Sequence, residues 1–480
     1  MILFQSEPTN PLLILALLHT CLLPTYSSAS SLDIFNTQQT LTKTYTNDIT
    51  HGVLPCLFGN VPKELTLGEA IERMLCNDPQ TRLAWVNAKA QAAQVGIAQS
   101  AYLPRLDGGI GVSRGSTVSS YEQQPEFSSK GTQQQLTNRL SMSWVLFDFG
   151  RREAALSSAR HLLLAANANQ DATLQNSFAE AAQLYYNAIS AQRNLNVSTQ
   201  IEVLAAKNLE VADAKYKAGT TALSDRLQAQ TAYSQANLGR VRNAGALRTA
   251  TGVIALRMGL PPDTHFKLSE NLTPLPDTHF VKTVTELLAQ AHEDHPALIA
   301  AQARIKAAEA TLQERRAAGR PTLSFTADIS ESQYNRSIAL RGDRNDRDRS
   351  VGLQLSIPLF EGFERTYQIR NAQARLEASR VELIDTEQMV LIDLWTNYQT
   401  LSNETLSLKR TEDLVAQSRE SLEVIQGRYQ SGVGSMIELL NALTSYASAE
   451  EQHIAALSNW QISRLKLAAN LGRLGFWAIP

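Results

Sequence analysis

"YKAGTTALSDRLQA" (residues 216–229) and "YQSGVGSMIELLNA" (residues 429–442) are two versions of one turn. Each has a tyrosine, a glycine three residues on, and an acid six residues after the glycine. In the first these are Tyr216, Gly219 and Asp225, and in the second Tyr429, Gly432 and Glu438. Every pair is 213 residues apart. A helix-like run stops at each glycine, as expected for a left-handed helix end. A new run then starts with an acid in its first turn, which the helix dipole favours by about 0.3–1 kcal/mol. Whole motifs at one fixed offset indicate an internal duplication.

Further upstream the offset is 217. "LTLGEAIERMLCNDP" carries Thr66 and Glu69, and "VKTVTELLAQAHEDHP" carries Thr283 and Glu286. Both read as capping boxes that open a helix. Pro79 and Pro296 follow, and 25 residues later come Pro104 and Pro321, which end the helix and force an extended start. Period-two alternation then sets in. Leu106, Gly108, Ile110 and Val112 share one face, as do Leu323, Phe325, Ala327 and Ile329. After a polar loop, Leu136, Leu140, Met142 and Trp144 share a face, as do Val351, Leu353, Leu355 and Ile357. Apolar–polar alternation predicts strands. The runs end at "LFDFG" (146–150) and "LFEGF" (359–363), where the offset has returned to 213. The loop between strands therefore absorbs a four-residue deletion in the second copy.

Two proline-free helical stretches follow, 151–216 and 364–429, each spanning about 100 Å at helical rise. In the second, Ile369, Leu376, Leu383 and Val390 recur every seven residues. After one four-residue step the series continues as Leu394, Leu401, Leu408, Val415, Leu422 and Tyr429, a heptad pattern. In the first, Leu156, Leu163, Leu195 and Leu209 fit, while Gln170, Ser177 and Glu202 interrupt it. Shorter helices return after the turns.

The domain plan is a signal peptide (1–29), an N-terminal extension (30–65) and a first repeat (66–259, hairpin 105–148). A Pro-rich linker (260–280), a second repeat (281–475, hairpin 321–361) and a tail (476–480) complete it. The signal rests on the apolar "PLLILALLHTCLLP" (11–24) followed by small residues. An exported chain meets an oxidising compartment. Cys56 and Cys76 could then form a disulfide worth roughly 3 kcal/mol in the chain-entropy model, or remain two buried thiols. The chain has 480 residues and a net charge of −2, so no basic face invites nucleic acid. His292 and His295 in "HEDHP" lack a matching set of metal ligands and read as a solvated helix face. "RGDRNDRDRS" (341–350) reads as a mixed-charge loop. No phosphate loop, nucleophile triad or catalytic carboxylate pair is evident, so neither an enzyme nor a cofactor is expected.

The strands are near the ten residues that cross a bilayer when tilted. A spanning sheet must close, because an open edge leaves backbone unpaired in lipid. Four strands cannot enclose a barrel, and three chains would give twelve. The expected fold class is mainly α with a small β part: a coiled helical tunnel continuing a trimeric twelve-stranded barrel.

The element order, the duplication, the "LF" strand exits and the two tyrosine–glycine turns resemble the TolC family of outer-membrane channel proteins over roughly residues 61–475. "LTLGEAIERMLCNDPQTRLAW" is similar to the branch serving type I secretion, such as cyclolysin export. The resemblance implies a homotrimer in outer-membrane lipid, with its tunnel in the periplasm of a Gram-negative cell. It also implies a periplasmic membrane-fusion adaptor and an inner-membrane transporter of ABC or other type as partners. Function follows as the channel-tunnel of a tripartite type I secretion system, with small-molecule, drug or metal efflux as the alternative. By resemblance the two turns close the tunnel at its periplasmic tip. Glu438 and Asn441 would line the aperture, with Asp225, Tyr429 and Tyr216 around it and Gly219 and Gly432 as the turn glycines. The family carries a second acid where this sequence has Asn441, and a basic residue where it has Gly434. Tyr429 is left to bond across to a neighbouring helix. Helix capping is the simpler reading of Glu438 and Asp225. Trp144, Phe147 and Phe149 either anchor at the membrane interface or merely pack.

Overall fold

The computed structural model describes residues 33–41, 58–270, 295–336 and 344–471. The signal segment, Cys56, the Thr283–Glu286 box, His292, residues 271–280 of the linker, the RGD tripeptide (341–343) and the tail lie outside the described residues.

Strand β1 (Glu64–Leu65) leads to α1 (Leu67–Asn77), α2 (Pro79–Ser100), β2 (Arg105–Ser119) and β3 (Ser129–Phe147). Helices α3 (Arg151–Lys217) and α4 (Leu223–Arg257) complete the first repeat, and β4 (Lys267–Leu268) follows. The second repeat runs through α5 (Pro296–Ala317), β5 (Thr322–Arg336), β6 (Arg344–Ser356), α6 (Glu364–Gln430) and α7 (Met436–Asn470). The long helices have 67 residues each and the returning helices 35 each. The duplication therefore holds at the level of helix length.

Helix α1 starts as its sequence dictates, with the Thr66 hydroxyl accepting from the Glu69 N–H at 3.4 Å. The reciprocal half of the expected box is missing. Glu69 pairs instead with Arg73 at 2.9 Å, because the guanidinium also needs an anion beside its bonds to the Gly59 and Asn60 carbonyls. Each long helix is flanked by two shorter ones stacked end to end. Leu298 at the start of α5 and Leu467 near the end of α7 both pack on Val390 and Leu394 in the middle of α6. In the first repeat, α1, α4 and the β1–β4 pair converge on Phe178, Tyr185 and Ile189 of α3. Tyr185 is fully buried, with its hydroxyl 2.9 Å from the carbonyl oxygens of Leu65 and Ser269, and burial pushes its pKa up. One phenol thus pins both short strands to the middle of the rod.

The heptad residues of α6 fall where the pattern places them. Leu376, Val390, Leu394, Leu408, Leu422 and Tyr429 are buried, and Ile369, Leu383, Leu401 and Val415 are half-buried. In α3 the polar interruptions keep the inward phase. Gln170 is buried, Ser177 bonds Asp78 at 2.5 Å, and Glu202 pairs with Arg240 at 2.5 Å and accepts from Asn237. Polar groups replace leucines there without turning the helix, and those of Ser177 and Glu202 are satisfied by these partners.

The strands have 15, 19, 15 and 13 residues, longer than the ten expected. Polar residues with no apolar face continue the pairing beyond the alternating core. Sheet order is β2–β3–β5–β6, all antiparallel, so the two hairpins join through β3 and β5.

A two-residue left-handed break leads from sheet to rod in each repeat. It is Phe149–Gly150 (φ 52° and 91°) in the first and Gly362–Phe363 (φ 58° and 65°) in the second. Glycine and phenylalanine have exchanged places while the backbone has not changed. An acid and an arginine span each break: Asp148–Arg152 at 3.0 Å, and Glu361–Arg365 at 2.9 Å. Arg152 also donates to the Val145 carbonyl at 2.7 Å and covers the Tyr102 ring at 4.7 Å. Its clamp fixes the angle between strand and helix.

Candidate functional site

The two turns are superposable in their bonding. The Thr220 N–H bonds the Lys215 carbonyl at 2.9 Å and the Gly219 N–H bonds that of Tyr216 at 3.0 Å. The Val433 N–H bonds the Arg428 carbonyl at 3.1 Å and the Gly432 N–H bonds that of Tyr429 at 3.2 Å. These are paired Schellman closures, with Gly219 and Gly432 at φ 71° and 84°.

The side chains differ. Tyr216 is 37% exposed and its ring meets Arg226 at 5.6 Å. Tyr429 is 3% exposed, inside a cluster with Ala212, Leu422, Met436 and Leu439. Its hydroxyl has no hydrogen-bond partner among the described residues of the one chain. Burial, and secondarily the Asp225 charge, push its pKa up. A tie between the two turns comes from α3. The Lys215 ammonium lies 4.3 Å from the Tyr429 ring centroid and donates to the Tyr429 carbonyl. That geometry combines a cation–π contact with a charge-assisted bond.

The acids also differ. Glu438 completes a capping box, accepting from the Ser435 N–H at 3.2 Å while Ser435 accepts from the Glu438 N–H at 3.2 Å. The α4 start has Ala222 at the N-cap and no side-chain cap. Asp225 accepts from the Thr221 hydroxyl at 2.6 Å instead. Both acids lie in the first turn of their helices, where the dipole favours them, and Glu438 alone of the two adds a side-chain cap. Glu438 and Asn441 are both exposed and lie three residues apart on α7, hence on one face. At Gly434 an added Cβ would approach the Tyr429 backbone nitrogen to 3.0 Å. No side chain, basic or otherwise, fits there without moving the turn.

Two residues that sequence reasoning passed over matter here. Lys215 is one. Asp213 is the other, pairing with Lys217 at 2.6 Å and Arg226 at 2.8 Å. The hydrogen bond from Lys217, followed by the two positive charges, lowers the Asp213 pKa. The counterpart of Asp213 at the offset is Gln426, so the duplication does not mark it, and the basic pair Lys215 and Arg428 carries no sign that Lys215 alone reaches Tyr429.

Cys76 is disulfide-bonded. His295 serves as the N-cap of α5, with Nδ1 accepting from the Ala297 N–H at 3.2 Å. Burial lowers its pKa. Among the described residues no group of three metal-ligating side chains occurs, and no helix is long and apolar enough to cross a membrane.

The sheet is the second functional element. Register brings its apolar residues onto one continuous face: Leu106 beside Met142, Val112 beside Leu136, Leu140 beside Ile329, Trp144 beside Phe325 and Leu353. Leu106, Val112, Ile329, Val351 and Leu353 are exposed on it. The opposite face is polar, with Gln135 donating to Tyr334 at 3.2 Å, Thr137 bonding Ser332 at 3.4 Å, and Arg139 pairing with Asp328 at 3.8 Å. Where sheet meets rod, the Trp144 indole donates to the Tyr102 carbonyl at 2.9 Å. Phe147–Phe149 and Phe360–Phe363 form edge-to-face pairs at 4.6 and 5.6 Å, largely exposed. Exposed aromatics at the rim of an apolar band suit a membrane interface.

A sheet with one apolar and one polar face, continued by a helical rod, defines the subunit of an outer-membrane channel. The chain belongs to the outer membrane efflux protein family, whose model matches residues 70–259 and 287–473, one segment per repeat. It is 29% identical over 415 residues to Protein CyaE of Bordetella pertussis, covering 86% of this chain and 85% of that one. It is 22% identical over 379 residues to the alkaline protease secretion protein AprF of Pseudomonas aeruginosa, covering 78% and 77%. Its fold matches the crystal structure of the Campylobacter jejuni CmeC outer membrane channel with a TM-score of 0.74 at 16% identity, covering 88% and 91%. The protein is thus a channel of the outer membrane. Channels of this family work with membrane-fusion adaptors and inner-membrane transporters in tripartite systems.

Proposed function

We propose that three copies of this chain close a twelve-stranded barrel over a helical tunnel, and that the assembly is the exit duct of a type I protein secretion system. The observation that carries the trimer is the four-stranded sheet, whose edge strands β2 and β6 pair with no further strand among the described residues, beside an exposed apolar face. Unpaired edges are not tolerated in lipid, and four strands enclose nothing. Secretion is favoured by the likeness to AprF, whose name carries that role, and by the level of identity to CyaE. Drug or metal efflux is the second reading, favoured by the description of the family.

In the trimer, Glu438 and Asn441 of three α7 helices line the periplasmic aperture with one ring of carboxylates, and a single ring holds cations weakly. Asp225, Tyr216 and Tyr429 surround it, and Gly219 and Gly432 set the turns. Cys56 is the proposed partner of Cys76. Removing the gene and measuring the secreted proteome together with sensitivity to dyes, detergents and antibiotics tests the function. Loss of one large extracellular protein at unchanged drug sensitivity supports secretion. Hypersensitivity with an intact secretome moves the reading to efflux. For the aperture, Glu438→Ala should reduce cation selectivity and divalent block of the purified pore, and an unchanged pore would remove Glu438 from that role.

A further inference from the structure

The outer limit of the apolar band is not level across the sheet. Setting aside the isolated Val118, the last apolar outward residue of the band on β2 is Val112, which pairs with Leu136, the last on β3 and separated from Leu140 by the polar Asn138. On β5 it is Ile329, paired with Leu140, and on β6 it is Val351, paired with Ala327 and so level with Met142. Read along β3, the limit slides from Leu136 to Met142 across four strands. At 3.4 Å per residue and 4.8 Å per strand this is about 20 Å along for about 14 Å sideways. A sloping limit is what strands tilted in a barrel wall produce, and this one is somewhat steeper than the usual tilt of about 35–45°.

The next outward position on each strand, just past the band and away from the helical rod, is Arg114 on β2, Gln134 on β3, Glu331 on β5 and Arg349 on β6. The one acid among them is neutralised by Arg347, the following outward residue of β6, at 3.1 Å. Arg114 and Arg349 are exposed and make no ion pair among the described residues. They stand on the two edge strands.

This step rests on the proposed trimer. A band of constant depth must meet itself where β6 of one copy pairs with β2 of the next. The first positions past it, Arg349 and Arg114 of the adjoining copy, then stand at one depth and about one strand spacing apart. Like charges so placed repel unless an anion lies between them. Guanidinium forks fit phosphate oxygens in a bidentate manner. The anions available beside an apolar belt, at its outward end, are lipid headgroup phosphates. We infer that each of the three joints between copies carries a site for a phosphate-bearing lipid of the outer leaflet, held by Arg349 and Arg114 with Arg347 beside them. The lipid would close the joint from outside.

Native mass spectrometry of the trimer released from outer membranes tests this. The wild-type trimer should retain phosphorylated lipid that excess inorganic phosphate does not remove. Arg114→Gln with Arg349→Gln should lower retention about tenfold, equivalent to about 1.4 kcal/mol. Arg105→Gln, at the opposite end of β2, should leave it unchanged. Should the glutamine pair fail to assemble, Arg114→Lys with Arg349→Lys keeps the charge without the fork and should give intermediate retention. Unchanged lipid in the glutamine trimer overturns the site. Displacement by inorganic phosphate reduces it to a free-anion site, and a co-purifying protein in place of lipid replaces it with a protein-docking surface; both overturn the inference. A wild-type monomer or dimer in the same spectra removes the joint itself, and fails the trimer rather than the choice of ligand.

Discussion

The two tyrosine–glycine turns share a backbone and little else. Lys215 to Thr220 and Arg428 to Val433 close with the same pair of hydrogen bonds. Yet Tyr216 stands in solvent against Arg226, while Tyr429 is sealed under Lys215. Ser435 and Glu438 cap α7, while α4 begins uncapped at Ala222. Duplication has kept what the chain must do locally, which is to reverse. It has released what each copy does against its neighbours. The second turn is the one whose tyrosine is fixed by burial, and the first is the one whose tyrosine is exposed among charged side chains.

Truncating the two tyrosines should expose that difference most strongly. Tyr429→Ala should destabilise the rod by about 3–5 kcal/mol, as for other buried aromatics, read as a shifted urea midpoint. Tyr216→Ala should stay within about 1 kcal/mol, since exposed sites rarely cost more. Tyr429→Phe should be neutral or slightly stabilising, because the removed hydroxyl is buried without a partner. The turn glycines should restore symmetry. Gly219→Ala and Gly432→Ala each force a Cβ into the left-handed region at about 1–2 kcal/mol, and unequal costs in thermal unfolding would break the claim of a shared backbone.

Asp171 on α3 sharpens the comparison away from the turns. Its counterpart 213 residues on is Ile384. Burial raises the Asp171 pKa to about 6, and one carboxylate oxygen has no partner among the described residues. The folded state therefore holds a proton more tightly than the unfolded chain, whose carboxyl titrates near 4. Stability falls as pH rises from about 4 to 6, and the loss is complete above that window. Asp171→Asn should recover about 1–2 kcal/mol at neutral pH, after allowance for solvent screening. It should recover nothing below about pH 4 in the same denaturation series.

Smaller effects separate the helix starts. Ser435→Ala should cost about 1 kcal/mol and Ala222→Ser should gain a similar amount, each read as a change in melting temperature. The caps after the first proline-marked break differ in chemistry. Asp78 accepts from the Gln80 N–H at 3.1 Å in one repeat and His295 from the Ala297 N–H at 3.2 Å in the other. His295 has a lowered pKa and caps only when neutral. Its contribution is present above about pH 6.5 and is lost as pH falls through the lowered folded value. Amide exchange in the first turn of α5 should accelerate there while that of α2 does not.

Much of this was legible because periodicity survives in the residues that pack. The heptads of α6 and the alternation around Leu323–Ile329 and Val351–Leu355 located rod and sheet. Strand length was not legible, since Gln133–Gln135 and Arg344–Asp348 pair without an apolar face. Sequence reasoning also passed over Asp148–Arg152 and Glu361–Arg365, although both obey the 213-residue offset. Acids and arginines close in sequence resemble any solvated surface. The exchange of Phe149–Gly150 for Gly362–Phe363 hid a shared backbone behind different letters. The contrast between Tyr216 and Tyr429 depends on which lysine or arginine a distant helix supplies, and no local pattern records that.

Closure of the sheet between copies is the central claim, and cross-linking tests it most directly. Val112→Cys and Val351→Cys in one chain place a thiol on each edge strand, close to the outer limit of the apolar band. Mild oxidation in whole cells should give covalent dimers and trimers on a denaturing gel, ending sharply at the trimer. Monomers alone, with both thiols reactive toward a small alkylating agent, or a ladder running past the trimer, would contradict it.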